Sequence, residues 1–315
     1  MTGRMLITAL VAVVLWAHLP MLPAHHPGRV RPRMAATIAG TLAGCATAPE
    51  CALRVDRLYA LSTASMRAAG PPYATWAGRT FLGFDPRGDG QAVEVVGDLT
   101  TAARITVVVP GVATTLGTFT RGLGDVARRA PAVQARAIHR AALARDPHAR
   151  VAVVAWLGYD PPDGVGVSAA RQEVARSGAR ALTELLAALG SARPGVPVTL
   201  VGHSYGAIVA GLAVRAGAPT VTDLVALGAP GIGGAEATDF PGVRVWAARS
   251  GADWIARVPA GSLLGFGHGT PPSAPAFGAL PLPTAPSTVH DAYLTAGSPT
   301  LPAVAALALP TVAAH

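Results

Sequence analysis

Among its 315 residues the chain has no lysine and no asparagine, only two cysteines, and 5% aromatic side chains. All 25 basic residues are therefore arginine, and against 17 acidic ones they leave a formal charge of +8. With abundant Ala, Gly, Pro and Arg, this bias fits codon usage in a GC-rich genome, so the basic balance alone names no partner. No basic run is interleaved with aromatics, which argues against nucleic-acid binding. A solvated basic face, compatible with anionic lipid, is the reading that remains. No metal-ligand cluster and no phosphate-cradling glycine loop occurs, so neither a metal nor a cofactor is expected. Internal repeats are also missing. At 51% apolar and 13% charged the chain is neither disordered nor a coiled coil, and it is long enough for one large core.

Long apolar runs are scarce too, and the clearest lies at the start. Arg4 precedes "MLITALVAVVLWAHLPML", Met5 to Leu22, whose unbroken part ends at Ala17. That is short of the ~20 residues that span a bilayer comfortably, and it fits a secretory signal or a short signal anchor. Arg29, Arg31 and Arg33 then precede "MAATIAGTLAG" and Cys45. Leu42-Ala43-Gly44-Cys45 resembles a bacterial lipoprotein box; alternatively, Cys45 pairs with Cys51 in an exported chain. Residues 1–45 are expected to be a leader that takes the protein out of the cytoplasm and holds it at the membrane. Residues 46–315 are expected to form a single domain.

Within that domain "CALRVDRLYALSTASMRAAG" predicts an amphipathic helix with Val55, Leu58, Leu61 and Met66 on its apolar face, ending at Gly70. "RTFLGF" and "QAVEVV" flank the turn "DPRGDG" as a hairpin; Arg87 and Val96 stand where a calcium loop would need oxygen ligands. Apolar strands then alternate with helices: "RITVVVPG", a helix near Pro131 to Arg145, "RVAVVAWLG", and a helix capped by Ser168 and stopped at Gly190. "VPVTLVG", a helix from Tyr205, "VTDLVALG" and "VRVWAARSG" follow. This alternation predicts an α/β fold with a mostly parallel sheet covered by helices on both faces. The Pro-rich stretch from Pro259 to Pro286 reads as a loop over the domain, followed by a helical segment from Leu301 to Leu309.

The segment "VTLVGHSYGA" places Ser204 between Gly202 and Gly206, after a strand and before a helix. A serine hydroxyl becomes a nucleophile when a base takes its proton and a tight turn presents it clear of its neighbours. Such a turn crowds the backbone, so the flanking positions must be small, and the helix N-terminus turns its amides toward a developing oxyanion. The G-x-S-x-G pattern here has its required strand-turn-helix context.

The chain resembles the α/β-hydrolase superfamily, and within it an uncharacterised family of exported or membrane-anchored hydrolases from GC-rich bacteria. "FDPRGDG", "VVVPGVATTL", "VAVVAWLGYDPP", "VTLVGHSYGA", "VTDLVALGAPG", "GHGTPPSAPAFG" and "HDAYL" carry the likeness, over about residues 79 to 310. The resemblance implies an α/β-hydrolase fold and a nucleophile-acid-histidine order. Asp253, after the strand "VRVWAARS", takes the acid position, ahead of Asp223 and Asp239. His290 in "STVHDAYL" takes the base position, with His268 as its rival. The resemblance also implies oxyanion donors at the backbone N–H of Tyr205 and of Val112. There is little room for a cap domain, so Tyr159, Asp160 and Phe266 are expected to line the pocket.

The activity expected is that of a serine hydrolase acting on a small-molecule or lipid ester. An amidase or peptidase of the same fold, and a non-catalytic envelope-binding protein, are the competing readings. A dehalogenase would need a carboxylate where Ser204 stands.

Overall fold

The computed structural model describes residues 33–258, 261–263 and 266–310. Strands β1 (Thr80–Asp85) and β2 (Gln91–Gly97) form the antiparallel hairpin expected around "DPRGDG". The buried apolar runs become β3 (Arg104–Val109), β4 (Val151–Leu157), β5 (Val198–His203), β6 (Val221–Leu227) and β7 (Arg244–Ala248), and neighbours among them pair in parallel. Among the described residues the main sheet has eight strands in the order β1-β2-β4-β3-β5-β6-β7-β10, where β10 is Leu280–Pro281, with β5 inside it.

Alternate residues along these strands feed two apolar layers, as a period of two requires. On one face Val107, Val154, Leu200 and Leu224 pack with helices α1 (Arg33–Leu42), α4 (Gln172–Ala192) and α5 (Tyr205–Arg215). On the other, Val108, Val153, Val201 and Val225 pack with α3 (Pro131–Arg145) and α6 (Thr300–Leu307). Helix α2 (Ala48–Ala69) gives Val55 and Leu58 to the first layer and Met66 to the second.

Several expectations need correction. The division at residue 45 falls inside the packed unit, because α1 buries Met34, Ile38 and Leu42 in the first layer. The earlier apolar run from Met5 to Leu22, with Arg4, Arg29 and Arg31, lies outside the described residues. Cys45 and Cys51 form a disulfide that bridges the turn between α1 and α2. A sulfur in that bond has no thiol for a lipid thioether, so the two readings of Cys45 exclude each other.

Leu61 is 53% exposed, so the apolar face of α2 is narrower than its sequence suggests. Ser168 belongs to a separate helical turn, Val167–Ala170, and α4 begins at Gln172 behind Arg171. Gly190 does not stop α4, which runs on to Ala192. A Cβ at residue 190 would meet the Thr220 side chain at 3.0 Å, so that glycine serves close packing. The Pro-rich stretch contains a hairpin, β8 (Gly261–Leu263) with β9 (Phe266–Gly269), and β10 (Leu280–Pro281), which extends the sheet beside β7. Pro281 is tolerated there because an edge position asks for no further ladder donor.

Candidate active site

Strand β5 ends at His203, and Ser204, at φ 54° and ψ −124°, turns the chain from β5 into α5. A non-glycine residue at positive φ costs energy, and the surrounding packing must hold it there. A Cβ on Gly202 would lie 2.3 Å from Ala207 Cα, and one on Gly206 would lie 2.2 Å from the Val109 carbonyl oxygen. Both positions therefore exclude any side chain, and Ser204 N–H is anchored to the Leu227 carbonyl at 2.9 Å. The sharp turn is built from close backbone approaches.

His290 Nε2 lies 2.9 Å from Ser204 Oγ, and His290 Nδ1 lies 2.8 Å from Asp253 Oδ1. An ionised carboxylate only accepts, so Nδ1 carries the proton and Nε2 is left to accept from the serine hydroxyl. The structure thus joins Ser204, His290 and Asp253 in one hydrogen-bonded chain, although they arise from three separate segments. Asp253 is buried, and its Oδ1 also accepts from Ile255 N–H at 2.8 Å while Oδ2 accepts from the Tyr293 hydroxyl at 2.5 Å. Burial raises the carboxyl's pKa, but the hydrogen bonds from His290, Tyr293 and Ile255 outweigh it and hold the group below the usual carboxylate range.

Gly228 follows β6 at φ +55°, and a Cβ there would meet Asp253 Oδ2 at 2.8 Å and His290 Nδ1 at 3.1 Å. Asp291, the neighbour of His290, accepts from Arg128 Nε at 2.9 Å and from Arg129 Nε, which ties the histidine's loop to the segment before α3.

His203, which precedes the serine, does not reach it. Its Nε2 meets the His290 carbonyl oxygen at 2.7 Å, and the two imidazoles lie 4.9 Å apart. His268 is also elsewhere: in β9, with Nε2 2.7 Å from the Ala169 carbonyl oxygen and its ring edge-on to Tyr205. Asp223 is buried against Arg104, Arg244, Trp246 and Thr222, and Asp239 accepts from the backbone of Ala235 and Glu236; both are structural.

The loop after β3 comes directly over the serine. A Cβ on Gly111 would lie 3.1 Å from Ser204 Cβ, so a side chain there would crowd the serine. Ala113 N–H is committed to the Pro162 carbonyl at 2.7 Å, and Thr114 Oγ1 donates to the Gly111 carbonyl at 3.0 Å. Val112, between them, is half-buried, and Tyr205, whose N–H opens α5, is buried.

The expectation that Tyr159 lines a pocket is corrected. It is 2% exposed, stacks on Trp156 and donates its hydroxyl to the Pro110 carbonyl at 2.7 Å. It braces the loop that carries Val112. Asp160 is half-buried beside it, while Phe266 has its backbone in β9 and its side chain lies outside the described residues.

Sequence reasoning missed Tyr293, Gly228 and Trp254. Trp254 is 38% exposed, with its ring centroid 4.5 Å from that of His290. Its place directly after Asp253 was the one available signal. A cavity of about 410 Å³ opens elsewhere, between α1, α2 and β1, and none of these site residues lines it. Among the described residues, no group of three or more His, Cys, Asp or Glu side chains is placed to hold a metal ion.

A family model described as "Alpha/beta hydrolase" matches residues 85–263, which include Ser204 and Asp253 and end before His290. An uncharacterised protein of Mycobacterium tuberculosis is 33% identical over 174 residues, covering 53% of this chain and 64% of the relative. A second one from that organism is 31% identical over 223 residues, covering 62% of this chain and 33% of the relative. The chain thus spans less than two thirds of the length of these curated relatives. Among solved structures, a carboxylesterase from Mesorhizobium loti matches with TM-score 0.42 and 14% identity, over 71% of this chain and 97% of that one. A dienelactone hydrolase from Anabaena variabilis matches with TM-score 0.42 and 16% identity, over 73% of this chain and 93% of that one.

Proposed function

The chain belongs to the alpha/beta hydrolase family, and from that premise we propose that it is a serine hydrolase that cleaves carboxylic esters through an acyl-enzyme. The observation that carries this reading is the hydrogen-bonded chain Ser204 Oγ, His290, Asp253, at 2.9 and 2.8 Å. His290 Nε2 takes the Ser204 proton as Oγ attacks the ester carbonyl carbon. The carbonyl oxygen gains the negative charge, and the N–H groups of Tyr205 and Val112 receive it. Collapse expels the alcohol, which takes its proton from His290, and leaves the acyl group on Ser204. A water molecule then attacks along the same path and gives its proton to His290, which passes it to Ser204 Oγ as the acid is released. Asp253 stabilises the imidazolium without taking its proton.

The leaving alcohol must come within reach of His290 Nε2, so Trp254, against that ring, would flank it. The substrate expected is a small-molecule or lipid ester. Export with retention at the membrane belongs to the same proposal. It is supported by the arginine-led apolar run at the start, and by the Cys45–Cys51 disulfide, which suits an oxidising compartment.

The test compares His290→Ala with His268→Ala on p-nitrophenyl esters of graded acyl length. Losing the base should lower kcat on the order of 10⁴-fold or more, and losing His268 far less. The opposite ranking would move the base to His268.

A further inference from the structure

Tyr293 stands three residues after His290, yet its hydroxyl returns to the carboxylate that His290 also holds. The ring is 1% exposed and belongs to the second apolar layer. A tyrosine with only a packing task would need no polar partner at this site, and phenylalanine would fill the same space. Here the oxygen has two partners of opposite kind. Ser250 N–H donates to it at 3.2 Å, and it donates to Asp253 Oδ2 at 2.5 Å. A phenol has one proton, and the backbone donor on one side sends that proton toward the carboxylate on the other.

We propose that Tyr293 is a positioning residue for the Asp253–His290 pair: it fixes the carboxylate plane so that Oδ1 faces His290 Nδ1. This role presupposes Ser204, Asp253 and His290 as a working triad. Three observations support it. Asp253 Oδ1 is taken by His290 and by Ile255 N–H, so Oδ2 is the oxygen still able to define the rotation of the group, and Tyr293 is its partner. Gly228 has no Cβ where one would contact Asp253 Oδ2, His290 Nδ1 and the Tyr293 ring together, so the backbone leaves room for this junction. Ser250 Oγ donates to the Pro286 carbonyl at 2.9 Å, which ties the residue that orients the phenol to the chain leading into His290.

The groups facing the phenol are Asp253, the Ser250 backbone, the His203 ring 6.5 Å away and, through its charge, Arg249. Burial first, and then the Asp253 hydrogen bond, pushes the phenol's pKa up, so it remains a proton donor throughout the working range. A donor to one carboxylate oxygen moderates the basicity of the other. Without it, Asp253 would hold the imidazolium more tightly and in a looser geometry.

The experiment measures the rate constant for phosphonylation by a fluorophosphonate as a function of pH, on wild type, Tyr293→Phe and Tyr293→Leu. The reaction proceeds through Ser204 Oγ whatever the natural substrate, and its rate constant is read per folded site. A partly folded variant therefore loses amplitude and not rate.

Tyr293→Phe should keep the wild-type Tm within a few degrees yet react about tenfold slower. Its acid limb should move to higher pH, because the protonated imidazole persists longer. Tyr293→Leu should show the same slow rate with a lower Tm. If Phe restores the wild-type rate and pH profile and only Leu is impaired, the residue is a packing residue and the proposal falls while the triad stands. If wild type itself is not labelled, the reading of the triad falls and takes this proposal with it.

Discussion

His203 sits immediately before the candidate nucleophile, where a charged imidazole would face the imidazolium of His290 across 4.9 Å. Burial first, and then the proximity of His290, pushes its pKa down to about 4. It is therefore neutral at pH 7, with its Nε2–H donating to the His290 carbonyl. The groups around it are His290, Tyr293, Asp253 and Asp291. Relative to an unfolded value near 6.5 the folded pKa is depressed, so the unfolded chain binds the extra proton first. The stability tied to a neutral His203 is complete above about pH 6.5 and is lost as pH falls toward 4. His203→Gln keeps a donor and cannot titrate. Its melting temperature should fall less than that of wild type between pH 7 and 4, the two curves converging by roughly a few degrees. Parallel curves would mean that the imidazole does not titrate differently on folding.

Helix α1 illustrates what a linear reading of elements could and could not deliver. Its sequence, "RMAATIAGTL", resembles a leader because small and apolar residues dominate it. Only the fold reveals that Met34, Ile38 and Leu42 are the side chains that close the first layer. Burying each contributes about 1.5–3 kcal/mol, so losing the three removes about 4.5–9 kcal/mol, comparable with a domain's whole stability. A chain beginning at residue 33 should melt cooperatively, whereas one beginning at residue 46 should have a much lower melting temperature or fail to fold. Equal melting of the two would show that α1 contributes nothing.

The strands and the hairpin were legible because a period of two and runs of β-branched residues are local signals. The positions of Ser204, Asp253 and His290 could be chosen because the nucleophile-acid-histidine order that the resemblance implies could be laid on strands and turns readable in the sequence. Gly228, Tyr159 and Tyr293 could not be assigned their roles. A glycine demanded by a carboxylate 25 residues away, or a phenol bonded 40 residues back, leaves no trace in spacing. The edge strand β10 escaped for a similar reason, because proline-rich sequence reads as loop until a neighbouring strand is there to pair with it.

At the scale of the molecule, the sheet places Ser204 at the end of an interior strand, and the loops that follow β3, β6 and β7 converge on it. Charge is used structurally in the interior: Glu94 is buried between Arg79 and Arg136, and Asp223 is buried between Arg104 and Arg244. No helix among the described residues is long and apolar enough to cross a membrane. Hydrolysis by the proposed route requires Ser204 to be a working nucleophile. Intact-mass measurement after exposure to a fluorophosphonate tests that most directly. Wild type should gain the mass of one phosphonyl group, mapped to the peptide that carries Ser204, and Ser204→Ala should gain none; equal labelling of the two proteins, or a folded wild type that stays unlabelled, would contradict it.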